Sequence, residues 1–197
     1  MDFLFSFILP FFGLILAVTI HEFAHALVAD RLGDPTPRAA GRLTLNPLSH
    51  LDPLGTIMIF IAHFGWGKPV PIDPYNFSSP RRDEILVALA GPASNIFLGV
   101  VLGIFYQITG IYHPIIQIIA VTDFYLAFFN LLPLPPLDGS KIFLNLLPIE
   151  TALKWQEAFD RYGYFLIIIL LFLPFAGSSL ISFLVSPPVN LLTHLFF

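Results

Sequence analysis

The chain contains no cysteine. That excludes disulfide cross-links and thiolate metal ligands, so His, Asp and Glu are the only plausible donors for a metal ion. Charge is also scarce. Only 11% of the 197 residues are charged, 56% are hydrophobic, and the mean hydropathy of +0.82 places the chain in the membrane class rather than the soluble one. The net charge is −4, and no nucleic acid is expected among its partners. The amino terminus has no positive n-region and no small-residue cleavage site before its apolar run. That run is therefore expected to remain as a helix and not to leave as a signal peptide.

The hydropathy predicts one all-α polytopic domain over residues 1–197. Its four spans lie at about 3–29, 85–109, 115–132 and 164–184, each near the roughly 20 residues that cross the hydrocarbon core. A further apolar run, Gly55 to Phe64, is too short to cross and reads as a re-entrant or interfacial piece. All nine Lys and Arg fall in two segments, between spans one and two and between spans three and four. The Gly110 to Pro114 connection and both termini have none. By the positive-inside rule the basic segments are expected to be cytoplasmic and both termini outside; the expected location is a bacterial or archaeal cell membrane.

The first span carries His21-Glu22-Phe23-Ala24-His25, an HExxH pattern preceded by the nearly unbroken apolar stretch from Phe3 to Ile20. Residues four apart share one helix face, so His21 and His25 can present two imidazole nitrogens to one metal, with Glu22 beside them to take a proton from water. A zinc ion lowers the pKa of its water from about 15.7 to about 7. HExxH also occurs by chance in helices that hold no metal. At lipid depth, however, ionisable residues are costly and usually mark function.

A catalytic zinc site normally has three protein ligands and one open position. The remaining candidates are Asp123, Asp138, His50, His63, His113 and His194. Spans one and three run in the same direction, with His21 about 18 residues into its span and Asp138 about 23 residues beyond Ile115, so both reach the cytoplasmic side. His113 and His194 sit at the outer side, and Asp123 lies in the outer third, where an acid more often bonds a neighbouring helix. Asp138 follows Pro133, Pro135 and Pro136 and precedes Gly139, a broken backbone of the kind tolerated at membrane depth where it lines a cavity. A proline-terminated helix end with a solvated Asp explains these residues equally well.

HEFAH on one span and Asn130-Leu-Leu-Pro-Leu-Pro-Pro-Leu-Asp-Gly139 on a later one resemble the site-2 protease family of intramembrane zinc metalloproteases. AGPASN at Ala90 to Asn95 is similar to that family's second core-helix motif. Gly41 to Thr56 with Gly65 to Pro74 is similar to its membrane-associated hairpin and loop. The resemblance covers most of residues 14–148 and implies a minimal form without a PDZ or nucleotide-sensing domain. It further implies one zinc ion held by His21, His25 and Asp138, and Glu22 as general base. Asn95 would stabilise charge near the scissile carbonyl or, alternatively, bond between helices beside Gly91. The alternating segment from Arg42 to Leu45 reads as a strand whose edge can hold an unwound substrate, or as a purely structural hairpin. His50 and Asp52 fit the loop pattern and are expected to fix it. Asp123 stands where a neutral polar residue is expected.

The resemblance therefore implies an endopeptidase that cleaves transmembrane or membrane-anchored proteins near the cytoplasmic face of the bilayer. A metal transporter or channel would need polar residues right across the bundle, and here the ionisable groups cluster toward one side. An inactive membrane scaffold would have no need of His21, Glu22, His25 and Asp138 together.

Overall fold

A computed structural model of the chain describes residues 8–62, 65–111, 113–175 and 178–197. Helix α1 (Leu9–Arg31) has Pro10 in its first turn, where a missing N–H costs nothing. A long loop follows, holding the short helix α2 (Thr36–Ala39), a 3-10 turn at Pro47–Ser49, helix α3 (Pro53–Ala62) and a second 3-10 turn at Pro74–Asn76. Helix α4 (Pro80–Thr109) stops at Gly110, whose φ of 65° is the left-handed cap that glycine adopts at least cost. Then come α5 (Pro114–Asn130), α6 (Asp138–Leu146) and α7 (Ile149–Phe172). The two-residue strands β1 (Pro174–Phe175) and β2 (Ser178–Ser179) pair antiparallel and lead into α8 (Leu180–Phe196).

The core follows from two stripes of small residues. On α1, Gly13, Ala17, His21, His25 and Ala29 recur at every fourth position and are buried. On α4, the same spacing carries Asp83, Val87, Gly91, Asn95, Gly99 and Gly103, all buried. Such residues share a helix face. The stripes meet antiparallel, His25 reaching the Val87 carbonyl and Asn95 the Ala17 carbonyl. α5 completes the triangle with Asp123 against Asn95 and the Phe124 ring seated on Gly99, where a Cβ would collide with it. In lipid there is little hydrophobic drive between helices, so close approach at small residues and interhelical hydrogen bonds must do the holding.

α8 packs on α5 through Val185 and Val189, which form one buried cluster with Ala120 and Phe124. Gln107 near the end of α4 donates to the Leu195 carbonyl, so α8 runs parallel to α4 and antiparallel to α5. The outward faces stay apolar, with Phe12, Leu16, Phe97, Ile104 and Ile108 exposed. α1 and α4 are long and apolar enough to cross a bilayer, and α5 and α8 are apolar helices of 17 residues each, at the short end of a span.

The structure departs from the sequence-based expectation in two places. The run at 164–184 is not one helix. Leu173 turns to extended backbone ahead of Pro174, which disfavours helical geometry in the residue before it, and α8 starts afresh at Ser179, whose side chain accepts from the Ser182 amide. Nor do the described residues of 41–56 form a hairpin; Leu51 only bridges Gly67. In the expected strand Arg42 is 3% exposed and Leu45 is 60% exposed, the reverse of a charge turned to water, because the Arg42 guanidinium donates to the Lys68 carbonyl.

The apolar run from Gly55 does double back. α3 lays Phe60 4.9 Å from the Phe11 ring of α1, and Trp66 returns against Gly55. Residues 63–64 of this run lie outside the described residues, as do residues 3–7 of the expected first span.

Candidate metal centre

Helical spacing places His21 and His25 one turn apart, both buried, with their Nε2 atoms 3.0 Å from each other. The second nitrogen of each ring is committed elsewhere. His25 Nδ1 donates to the Val87 carbonyl at 2.7 Å, a partner that can only accept. His21 Nδ1 lies 2.7 Å from Asn95 Oδ1. The orientation of that amide is set by its nitrogen, which faces the Ala17 carbonyl at 3.0 Å, so its oxygen faces His21. A neutral imidazole that donates from Nδ1 has only a lone pair at Nε2.

Asp138 adds a third acceptor. It opens α6, after a segment of prolines, and Gly139 lets the chain press against the Leu131 and Leu132 carbonyls where a Cβ would collide. Its Oδ2 lies 3.0 Å from His21 Nε2 and 3.2 Å from His25 Nε2.

Three acceptor atoms from His21, His25 and Asp138 thus converge within 4.8 Å of one another. Facing lone pairs repel unless a cation sits among them, and two nitrogens with one carboxylate oxygen form a donor set suited to zinc. Gly91 supplies the second sign of fit. A Cβ there would collide with Nε2 of both histidines, so only glycine leaves room for the two ligand nitrogens at this helix contact.

Glu22 lies one residue from His21, half-buried, with Oε2 accepting from the Val70 amide at 3.2 Å. The strap that carries Val70 is braced from below: Lys68 N donates to the His50 carbonyl at 2.8 Å, and His50 Nε2 donates to the Thr44 carbonyl at 2.7 Å. Asp52 Oδ1 accepts from Gly55 N at 2.8 Å and starts α3. His50 and Asp52 therefore hold the loop and stand outside the ligand cluster. Burial lowers the pKa of Arg42 against the opposing pull of the Glu22 charge. A cavity of about 820 Å³ opens beside the cluster, walled by Ile15 and Val18 of α1, Leu126 and Phe129 of α5, and Ile167 and Leu171 of α7.

The other candidates fall elsewhere. His113 caps α5 by accepting from the Ile115 amide, His194 lies in the last turn of α8, and His63 is outside the described residues. Asp123 is not a ligand. Of the two readings of Asn95, the bonds observed are those of the interhelical one: it is fully buried, and its NH2 group donates to the Ala17 carbonyl of α1 and to Asp123 of α5. Three contributions were missed from sequence, namely the Val87 carbonyl, the space at Gly91 and the Val70 amide. The first two had a readable signal in the every-fourth spacing of α4. The third had none, because nothing local ties Val70 to Glu22.

Fold and site together define a mostly helical protein with two helices long and apolar enough to cross a bilayer and a buried cluster of residues that could hold a metal ion. Its similarity to known proteins points the same way. Peptidase family M50 matches over residues 108–173. YwhC of Bacillus subtilis, to which zinc metalloprotease activity is ascribed by name, is 40% identical over 85% of this chain and 81% of its own length. Rip2 of Mycolicibacterium smegmatis, given the same activity by name, is 33% identical over 85% of this chain and 68% of its own. Zinc metalloprotease MJ0392 of Methanocaldococcus jannaschii is 24% identical over 89% of this chain and 45% of its own. No solved structure matches. The chain belongs to peptidase family M50, the site-2 protease family of zinc metalloproteases.

Proposed function

We propose that the chain is an intramembrane zinc endopeptidase that cuts transmembrane or membrane-anchored proteins near the cytoplasmic face, in regulated intramembrane proteolysis. The observation that carries this reading is the convergence of His21, His25 and Asp138 beside Glu22, at the mouth of an apolar cavity. Nε2 of each histidine and Oδ2 of Asp138 would hold the ion. A zinc ion there supplies Lewis acidity, activating water and polarising a peptide carbonyl.

The remaining steps belong to the chain's own groups. Glu22 accepts a proton from the attacking water and passes it to the leaving amine, with the Val70 N–H fixing the direction of its carboxylate. A helical substrate keeps its carbonyls in hydrogen bonds, so it must unwind before attack. The wall of Ile15, Val18, Leu126, Phe129 and Ile167 suits the apolar side chains of such an unwound segment. Arg31 ends α1, Arg38, Arg42 and Lys68 lie in the loop that follows, and Arg81 and Arg82 stand in the first turn of α4; together they support a cytoplasmic location of that end of α1 with both termini outside.

The test is purification in detergent, measurement of bound zinc, and incubation with a membrane-peptide reporter beside a Glu22→Gln variant. The variant should keep its zinc and lose activity by about 10²–10⁴-fold. Equal product from both proteins would remove Glu22 as the general base. Zinc carried into liposomes with no proteolysis would make the chain a transporter.

A further inference from the structure

Asp123 sits in the middle of α5 with none of its surface exposed, and it does not line the cavity. Its Oδ1 accepts from Asn95 Nδ2 at 2.7 Å, and its Oδ2 has no hydrogen-bond partner among the described residues. A carboxyl group so placed is a poor source of stability. A buried, half-satisfied polar group costs free energy that an apolar side chain of similar size would not, and the cost is greater at lipid depth. Asp123 also makes its single bond to the one residue that orients His21. We infer that Asp123 is a positioning residue of the metal centre, acting through Asn95 to hold His21 with Nε2 toward the ion.

The argument turns on which way round the Asn95 amide lies. With its oxygen toward His21, the amide accepts from Nδ1–H and leaves a lone pair on Nε2 for a metal. Turned over, its NH2 would donate to Nδ1, the ring proton would move to Nε2, and that ligand would be lost. Two acceptors on the opposite side prevent the turn, the Ala17 carbonyl at 3.0 Å and Asp123 Oδ1 at 2.7 Å. Without Asp123 only one remains. The same bond polarises the amide and raises the electron density its oxygen offers to His21, which makes Nε2 a stronger donor to the ion. His25 needs no such device, because the Val87 carbonyl it meets cannot turn over.

This inference rests on the zinc reading, and its test separates the two. The full chain in detergent is loaded with zinc or with cobalt(II) as a visible-absorbing substitute. Zinc affinity is read by competition with a chelator, and the site geometry by the cobalt d–d bands. Asp123→Ala should weaken zinc binding by about tenfold and shift the cobalt bands. It should lower kcat on the peptide reporter with KM little changed, since Asp123 does not touch the cavity. Asp123→Asn keeps an acceptor oxygen for the Asn95 amide and should restore zinc affinity to within about threefold of the parent protein. Where the space left by alanine prevents folding, Asp123→Leu fills it and carries the same expectation.

A double-mutant cycle adds a readout that a merely structural role would not produce. In an Asn95→Ala background, loss of Asp123 should cost no further zinc affinity. Additive losses, or unchanged zinc affinity and cobalt bands in Asp123→Ala or Asp123→Leu, would overturn the inference while leaving the zinc reading standing. A parent protein that takes up neither zinc nor cobalt would overturn both.

Discussion

Two buried aspartates in this chain have opposite surroundings. Asp34, just beyond α1, uses both carboxylate oxygens: Oδ1 accepts from Thr36 N at 3.0 Å and Asn76 Nδ2 at 2.8 Å, and Oδ2 from Asp73 N at 2.9 Å. Asp123 uses one oxygen on one partner. Asp34 ties the end of α1 to the turn at Pro74–Asn76, and every bond it makes holds backbone or loop. Among the described residues Asp123 ties nothing but the amide behind His21. A fully satisfied buried carboxylate is explained by the fold it braces, whereas a half-satisfied one calls for another reason, and here the reason lies two hydrogen bonds away at the metal centre.

The largest effect that would sharpen this contrast is at Gly91. Gly91→Ala places a methyl group in collision with both Nε2 atoms, and zinc retention should fall by on the order of 100-fold while the helical circular dichroism stays unchanged. Zinc bound as tightly as in the parent protein would contradict the assignment of both nitrogens as ligands.

Asp34→Ala should act on the other half of the contrast. It strands the Thr36 and Asp73 amides and the Asn76 side chain, and should cost about 2–4 kcal/mol of stability, read by thermal unfolding in detergent. Zinc per folded molecule should not change. The pH dependence has a definite sign. Burial pushes the Asp34 carboxyl up, but its hydrogen bonds prevail and hold it below its ordinary value. Its contribution is therefore complete above the unfolded value of about 4 and is lost as pH falls below that. The stability gap between parent and variant should shrink on acidification, and a gap that widened would contradict the assignment.

The smallest effect is expected at Asp30. Its pair with Arg38, at 2.7 Å, lies at the protein surface, so Asp30→Asn should leave the unfolding midpoint and zinc retention indistinguishable from the parent. A clear shift in either would mean that surface charge contributes to the site.

The helix carrying His21 and His25 was legible because HExxH is a local pattern and its geometry is set by helical repeat alone. The partnership with Asp138 was legible only as one option from residue types and helix direction, and became specific through the resemblance of several ordered motifs. That Asn95 and Asp123 bond between helices was legible as one option, but their partners were not, because an amide or carboxyl gives no sign in sequence of which neighbour it faces. The strand expected at Arg42 to Leu45 failed for a related reason. Alternating side chains mark a strand only when the backbone finds a ladder partner, and here Lys68 and His50 bond across the loop instead. The break at Pro174 was present in the sequence, but apolar composition on both sides of it masked the stop.

Composition and periodicity by themselves determined that this chain is built mainly of apolar helices, which stretches form α1, α4 and α5, and which turn of the first one carries the metal-binding pattern. Those properties depend on transfer from water and on helical repeat, and both are local. The tertiary structure alone decided which lone pairs meet, which amide is locked in which orientation, and where a missing Cβ leaves room for two ligand nitrogens. Those depend on distances of a few ångströms between residues as far apart in sequence as His21 and Asp138, and such distances are set only when the helices pack.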